Sequence, residues 1–426
     1  MLRFLVLTLS ILTVLATEWS DVDKLINRGI SDRVYPGAFA GVYSQKHGVL
    51  YSKSFGKFSY GEPLPYNPFP PTVTDDSIFD MASCTKVVAT TSAIAQFYER
   101  GELDLDMPLA HPLLLGPAFG VNGKQTVTSR HCLLHEAGFA PDPVPGYLDS
   151  RFGCPSRSIV PPPETFSCIP KIHKSLLAES LVRKPSVKYV YSDLSMMTLA
   201  YVAGGLARKL GYVSPADLEP NCAGFRGFVN SEPSMAIDIC YFRSYVRNYV
   251  LHRQFNDETM FFTIKEQDKP RCLPEWNATD VDRGIIQGAV SDENSYSAGG
   301  VLGHAGLFST GPGIMSFVKD FMNGEIINQT TINTFVTVNN VSMSSRALGW
   351  DTSNPDPWLC GSLSSATFNH SGYTGTSICI DPIRKLAVFL LTNRCYPGKT
   401  TPGMGEVRKN YGTLVQRIFD EKFNSI

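Results

Sequence analysis

The stretch FDMASCTKVVATTSAIAQFYERGELDLD, residues 79–106, decides how this chain is read. Val87, Thr91, Ile94, Ala95 and Tyr98 fall on one face of a helix over 84–100, and Gly101 stops it. Ser83 and Lys86 stand three residues apart at its first turn, and residues at that spacing share a helix face. A serine there sits where free backbone N–H groups and the helix dipole favour developing negative charge. A partly desolvated lysine beside it can be neutral and take the serine proton. The pair makes sense as a nucleophile with its activator. Alone it is a weak signal, because Ser-x-x-Lys also arises by chance around a solvated lysine.

Outward from this helix, AFAGVYSQKHGVLYSKSFGKF (38–58) alternates apolar and polar residues around a turn at His47 and Gly48, which predicts two antiparallel strands. A Pro-rich loop covers 59–77, and residues 103–285 predict short helices near 128–135, 173–183 and 194–210 between long loops. Residues 298–323 begin Gly-rich and turn helical, and SICIDPIRKLAVFLLTN (377–393) predicts strand, turn at Asp381-Pro382 and buried strand. A closing helix is expected from Tyr411. Strands at both ends with helices between them predict an α+β lobe built from the two termini and an inserted helical lobe.

Two further stretches bear on chemistry. In KYVYSDLSMMTLAYVAGGLARKLG (188–211), a short apolar strand is expected to deliver Tyr191-Ser192-Asp193 to a helix start. A tyrosine at such a turn, near one or two cations, can relay protons; otherwise it is one of eighteen tyrosines that simply pack. In NHSGYTGTSICIDP (369–382), His370-Ser371-Gly372 precedes a strong strand pattern. Glycine lets a ligand approach the backbone closely, and an edge N–H there can complete an oxyanion hole with that of Ser83. A lone His-Ser-Gly is otherwise a surface turn.

In this order and at these separations the three stretches resemble the serine β-lactamase/D,D-peptidase superfamily, in its class C branch of soluble D-Ala-D-Ala carboxypeptidases and β-lactamase-like esterases. That family carries S-x-x-K, Y-x-N and K/H-x-G; this chain has Ser-Cys-Thr-Lys (83–86), Tyr-Ser-Asp (191–193) and His-Ser-Gly (370–372). LLHEAG (133–138), AGGVLGHAGLFST (298–310) and LLTNRCYP (390–397) also resemble family stretches, and the likeness covers roughly residues 25–420. It implies a β-lactamase-like fold: an antiparallel sheet flanked by helices (about 17–82 and 286–426) plus a mostly helical lobe (about 83–285), with Ser83 at the floor of the cleft between them. It further implies two-step acyl transfer on a peptide, amide or ester bond of a small-molecule or peptide substrate. Ser83 would be acylated, and Lys86 would activate it or stabilise the deprotonated base. Tyr191 would shuttle the proton and then activate water. His370 would hold the tyrosine and face the substrate's carboxylate or ester. Backbone N–H groups of Ser83 and Tyr373 would form the oxyanion hole, with Asp193, Ser371, Gly372 and His304 contacting substrate. Neither a cofactor nor a metal is expected.

The chain departs from the family at Asp193, where asparagine is usual. A carboxylate cannot donate a hydrogen bond unless protonated, which puts penicillin or stem-peptide specificity in doubt. Cys84 reads as a small buried side chain. Asp292, Glu293, Asn294 and His304 cluster in SDENSYSAGGVLGHAGLF (291–308), as substrate contacts or as a hydrogen-bonded scaffold. No G-x-S-x-G elbow of an α/β-hydrolase occurs, and His131, His135 and Glu136 match neither zinc helix motif. The rival reading is a fold kept as a binding or assembly module without catalysis; the presence of Ser83, Lys86 and Tyr191 together favours an active hydrolase.

Composition bounds the rest. With 426 residues, 43% hydrophobic, 18% charged and a net charge of −1, the chain has no basic surplus to suit it to nucleic acid. MLRFLVLTLSILTVLATEWS has a basic Arg3, an apolar run from Phe4 to Ala16, and Val14 and Ala16 placed for cleavage, which reads as a signal peptide over 1–16 of a secreted chain. The run is shorter than the roughly 20 residues a spanning helix needs, so no membrane attachment is expected after cleavage. Ten cysteines then suggest disulfides: Cys154 with Cys168, and at least one bond among Cys222, Cys240 and Cys272. Asn277, Asn328 and Asn340 are candidate glycan sites, whereas Asn369, beside His370, is expected to stay unmodified.

Overall fold

The computed structural model describes residues 19–152, 168–218, 222, 234–251, 259–281, 283–353, 358–399 and 401–423. The expected signal peptide lies outside these residues.

Helix α1 (Ser20–Ser31) leads into strands β1 (Gly37–Ser44) and β2 (Gly48–Gly56). The sheet is completed from the far end of the chain by β3 (Asp351–Thr352), β4 (Phe368–Ser371), β5 (Ser377–Asp381) and β6 (Leu386–Thr392). The order is β2-β1-β6-β5-β4-β3, antiparallel throughout. β1 runs against β6 from Ala38↔Thr392 to Ser44↔Leu386, so the two ends of the chain meet at the sheet centre, as expected.

Period-two alternation assigns the faces. Ala38, Ala40 and Val42 of β1, with Leu386, Val388 and Leu390 of β6, pack on an outer core with α1 and the C-terminal helix. Phe39 and Tyr43, with Ala387, Phe389 and Leu391, join the larger inner core. Gly41 is required where it stands: a Cβ there would lie 2.1 Å from the ring of its register partner Phe389.

The inner core continues into helices α2 (Ser92–Glu99), α3 (Asp193–Lys209), α4 (Asp238–Tyr245) and α5 (Gly311–Met322). The C-terminal helix α6 (Met404–Lys422) starts seven residues before the expected Tyr411. Gly403 and Gly405 disguise that start, and burial of Met404, Val407, Tyr411, Val415 and Phe419 overrides their low helix propensity. Helix α1 was not among the expected elements. The strand expected before Tyr191 is absent: residues 187–192 run as irregular chain tied to one loop, with Val190 N–H on the His135 carbonyl (2.9 Å) and Asp193 N–H on that of Pro141 (2.7 Å).

Cys222–Cys240 is bonded, which bears out the expectation for that region, while Cys272 is a free buried thiol. Cys360–Cys379 was not anticipated. Cys168 is disulfide-bonded, and its expected partner Cys154 lies outside the described residues. Asn277, Asn328 and Asn340 are exposed, and Asn369 on β4 is only 2% exposed, which leaves no room for a glycan.

Candidate active site

Ser83 sits in a short 3-10 turn, Ala82–Cys84, between a two-residue strand (Phe79–Asp80) and helix α2. The segment is not the regular helix the pattern predicts: Lys86–Thr91 is wound as wide π turns before α2 begins. Ala82 holds φ at +44°, a left-handed conformation that costs a residue with a Cβ about 1–3 kcal/mol. Its N–H is caught by Asp80 Oδ1 at 2.8 Å, and Asp80 Oδ2 accepts the Ser291 N–H at 2.8 Å. A buried carboxylate thus sets the turn that presents Ser83.

The 3-10 turn brings Lys86 onto Ser83, as the spacing predicts. Lys86 Nζ donates to Ser83 Oγ at 2.8 Å and to the His304 carbonyl at 3.0 Å, and it lies 2.7 Å from Asp193 Oδ1. Two of the ammonium's protons thus have oxygen acceptors, and the Asp193 carboxylate balances its charge as an ion pair. Burial of the fully enclosed Lys86 pushes its pKa down, but the Asp193 carboxylate and the Tyr191 phenol outweigh this and raise it above the ordinary lysine value. This environment favours the charged form of Lys86, which suits the role of stabilising a deprotonated base more than that of taking the serine proton. Asp193, expected at the substrate, is the counter-ion of Lys86 and also faces the cleft.

Tyr191 lies over two cations, with Lys86 Nζ 5.0 Å and the Arg346 guanidinium 5.3 Å from its ring centre. His135 stacks against the same ring at 4.6 Å, and its Nδ1 accepts the Ser192 N–H at 3.1 Å, so it fixes the tyrosine from behind. His370 approaches the Tyr191 ring at 6.2 Å. It is 3% exposed; burial, with Arg346 and Lys86 nearby, pushes its pKa well below the usual value and keeps it neutral. Its Nδ1 is bonded to the Ser371 carbonyl at 2.9 Å, so a neutral ring here can offer a substrate no ionic partner.

The turn after β4 is pinned against Ser83. Thr374 Oγ1 donates to the Asp80 carbonyl at 2.7 Å and Thr376 Oγ1 to that of Met81 at 3.0 Å. Gly372 allows this approach, since a Cβ there would meet the Met81 carbonyl oxygen at 2.6 Å. The β3 ladder ends at Asp351↔Asn369, so the chain beyond it is an open edge. Among the described residues, neither the Ser83 N–H nor the Tyr373 N–H has a hydrogen-bond acceptor, and both residues line the cleft.

That cleft, of about 710 Å³, is also lined by Asp142, Asp193, Trp276, Asp292, Glu293, Asn294, His304 and Lys399. Asn294 Oδ1 accepts the Tyr147 N–H at 2.8 Å and ties the 141–149 loop to the floor. The buried ring of His304 bonds Asp292 Oδ1 at 2.8 Å. Asp193, Asp292 and His304 offer ligand atoms within 4.8 Å of one another, but Lys86 already supplies the cation there, and a metal would have to displace it. A second cleft of about 510 Å³ opens from Ser83 past Ser371, Gly372 and Tyr373 to Arg394, Arg408 and the start of α6. Among the described residues neither arginine touches a carboxylate: Arg394 Nε bonds the Tyr373 carbonyl (2.6 Å), and Arg408 bonds those of Gly372 and Thr376 (2.8 Å each). Cys84 is buried, its thiol pushed up to about 11 by burial.

Arg346, Arg394, Arg408 and Asp142 escaped the reading of the sequence. Each stands outside the three motifs, and nothing local distinguishes an arginine aimed at a cleft from a solvated one.

The chain has relatives among known proteins, in sequence and in fold. The chain matches the beta-lactamase family over residues 22–213 and 243–412. It is 25% identical over 438 residues to a protein of Escherichia coli O157:H7 named "Putative D-alanyl-D-alanine carboxypeptidase", covering 94% of this chain and 89% of that one. Its fold is similar to unliganded simvastatin synthase of Aspergillus terreus (TM-score 0.65, 16% identity, 95% and 99% of the two chains). It is likewise similar to the D-alanine carboxypeptidase AmpC of Burkholderia cenocepacia (TM-score 0.61, 15% identity, 94% and 99%). With most of its length matched, the chain belongs to the beta-lactamase family of serine hydrolases.

Proposed function

We propose that the protein cleaves an amide or ester bond by two-step acyl transfer at Ser83, on a substrate whose leaving group ends in a carboxylate. The observation that carries the mechanism is the Lys86 side chain, which holds Ser83 Oγ at 2.8 Å beside Tyr191. Ser83 Oγ attacks the carbonyl carbon, and the oxygen takes up negative charge between the N–H groups of Ser83 and Tyr373. The serine proton passes to the Tyr191 oxygen as the phenolic proton moves to the leaving group, and the bond to that group breaks. Water then attacks the acyl-enzyme, and Tyr191 relays its proton to Ser83 Oγ as the acid departs. Lys86 and Arg346 stabilise the negative charge the tyrosine oxygen carries while protons pass.

Arg394 and Arg408, which among the described residues bond backbone carbonyls and no carboxylate, support a carboxylate on the leaving-group side, where His370 carries no charge. A peptide with a free C-terminus fits, as in the carboxypeptidases this chain is similar to. The disulfides, two of them between described cysteines, and the apolar run Phe4–Ala16 support secretion. The test is intact mass after exposure to a fluorophosphonate and, separately, a penicillin, on wild type and Ser83→Ala. A single adduct lost in the variant is expected; the untreated mass also reports whether the chain begins after Ala16. A folded wild type that forms no adduct with either probe would overturn the mechanism in favour of a binding module.

A further inference from the structure

A carboxylate at Arg394 and Arg408 takes up one part of the second cleft, and about 510 Å³ is far more than that group and an alanine methyl need. The remaining wall is apolar and aromatic. Trp358, Tyr373, Pro402 and Met404 line it, and among its described lining residues there is no carboxylate. Trp358 is 44% exposed and Tyr373 48%, although large aromatic rings gain most when they are covered. Exposed hydrophobic residues scattered singly are ordinary on a surface; two such rings beside one cleft that opens from the nucleophile mark a binding groove.

The fold fixes both rings. Tyr373 lies under the Arg394 guanidinium, 4.9 Å from its ring centre, and edge-on to Trp276 at 6.3 Å. Its carbonyl accepts from Arg394 Nε at 2.6 Å. Trp358 stands two residues before Cys360, whose bond to Cys379 ties that wall to β5. A pocket formed in advance loses less freedom when a ligand enters it. The start of α6 contributes backbone in place of side chains: Gly403 and Gly405 line the cleft, and a Cβ on Gly405 would meet no described atom outside its own helix turn within 4 Å. Polarity separates the two clefts that meet at Ser83. The first carries Asp142, Asp193, Asp292 and Glu293, so a residue with an apolar side chain and a free carboxylate matches only the second.

We propose that the second cleft is a specificity pocket for the side chain of the leaving residue, taking a bulky apolar or aromatic amino acid against Trp358 and Tyr373 in preference to alanine. The proposal deepens the acyl-enzyme reading of Ser83 and rests on it.

The test uses the full-length protein and N-acetylated dipeptides that share one acyl residue and end in phenylalanine, alanine or glutamate, in L and D forms, with the matching esters of phenyllactate and lactate. Release of the leaving group gives kcat/KM for wild type, Trp358→Ala and Gly405→Leu. Thermal melting shows that each is folded, and fluorophosphonate labelling read by intact mass reports Ser83. Wild type should favour phenylalanine over alanine by about tenfold, the effect of covering most of a phenyl ring. Trp358→Ala removes one aromatic wall and lowers that ratio about fivefold. Gly405→Leu narrows the cleft and also lowers the ratio; it decides in place of Trp358→Ala should that variant fail to fold. A labelled wild type whose ratio is one or less, or that releases neither residue, overturns the proposal and leaves the nucleophile reading intact. So does a ratio that stays at the wild-type value in folded Trp358→Ala. A preference for glutamate overturns it in favour of an acidic side chain on the arginines. Folded wild type that is never labelled overturns both readings.

Discussion

Lys86 shows how far residue identity reaches. Its spacing from Ser83 was legible because helical periodicity is local, and the structure puts the two at hydrogen-bond distance. Its charge was not legible, because that depends on Asp193, which stands 2.7 Å away only after the chain has folded back. The same holds for His370, whose place beside Tyr191 follows its motif but whose neutrality follows from burial and from Arg346. Arg394 belongs at this scale too. If it reads a leaving-group carboxylate, Arg394→Ala lowers the preference for a C-terminal carboxylate over its amide by tenfold or more, since a charge-assisted hydrogen bond is worth about 1.5–3 kcal/mol. Steady-state kinetics on a matched acid and amide pair checks this, and an unchanged ratio would move the carboxylate site elsewhere.

At the scale of elements, strands and helices with strong periodicity were legible. The 38–58 hairpin and the 377–393 strand pair appear within a residue or two of their expected bounds. Elements whose stability comes from packing were not. Helix α6 begins among glycines, and the chain before Tyr191 is held by single bonds to the 135–141 loop in place of a ladder. The β1–β6 register carries its own test. Gly41→Ala places a methyl group against the Phe389 ring, and overpacking of this kind costs about 1–3 kcal/mol. Urea denaturation should show a lower midpoint with an unchanged slope; equal stability would mean the ring moves aside freely.

At the scale of the whole molecule, the sheet joins the first and last parts of the chain, and its long-range closure has a covalent support. Cys360–Cys379 links two cysteines 19 residues apart and ties the segment before β4 to β5 within the outer core. Removing both thiols frees a loop of that length in the unfolded chain, a loss of about 3 kcal/mol. The Cys360→Ala/Cys379→Ala double variant should show it as a fall in the denaturation midpoint that reducing agent does not deepen by the same bond.

The sequence by itself determined the class of fold, the serine–lysine–tyrosine set and the strand that flanks it, because periodicity, helix spacing and glycine placement act over a few residues. Only the tertiary structure decided which of these groups are charged, which cations surround Tyr191, and that Asp193 serves Lys86. Charge state is set by burial and by partners far away in the chain, and residues such as Asp193, Arg346 and His304 acquire their partners only when the sheet and the helices close around Ser83.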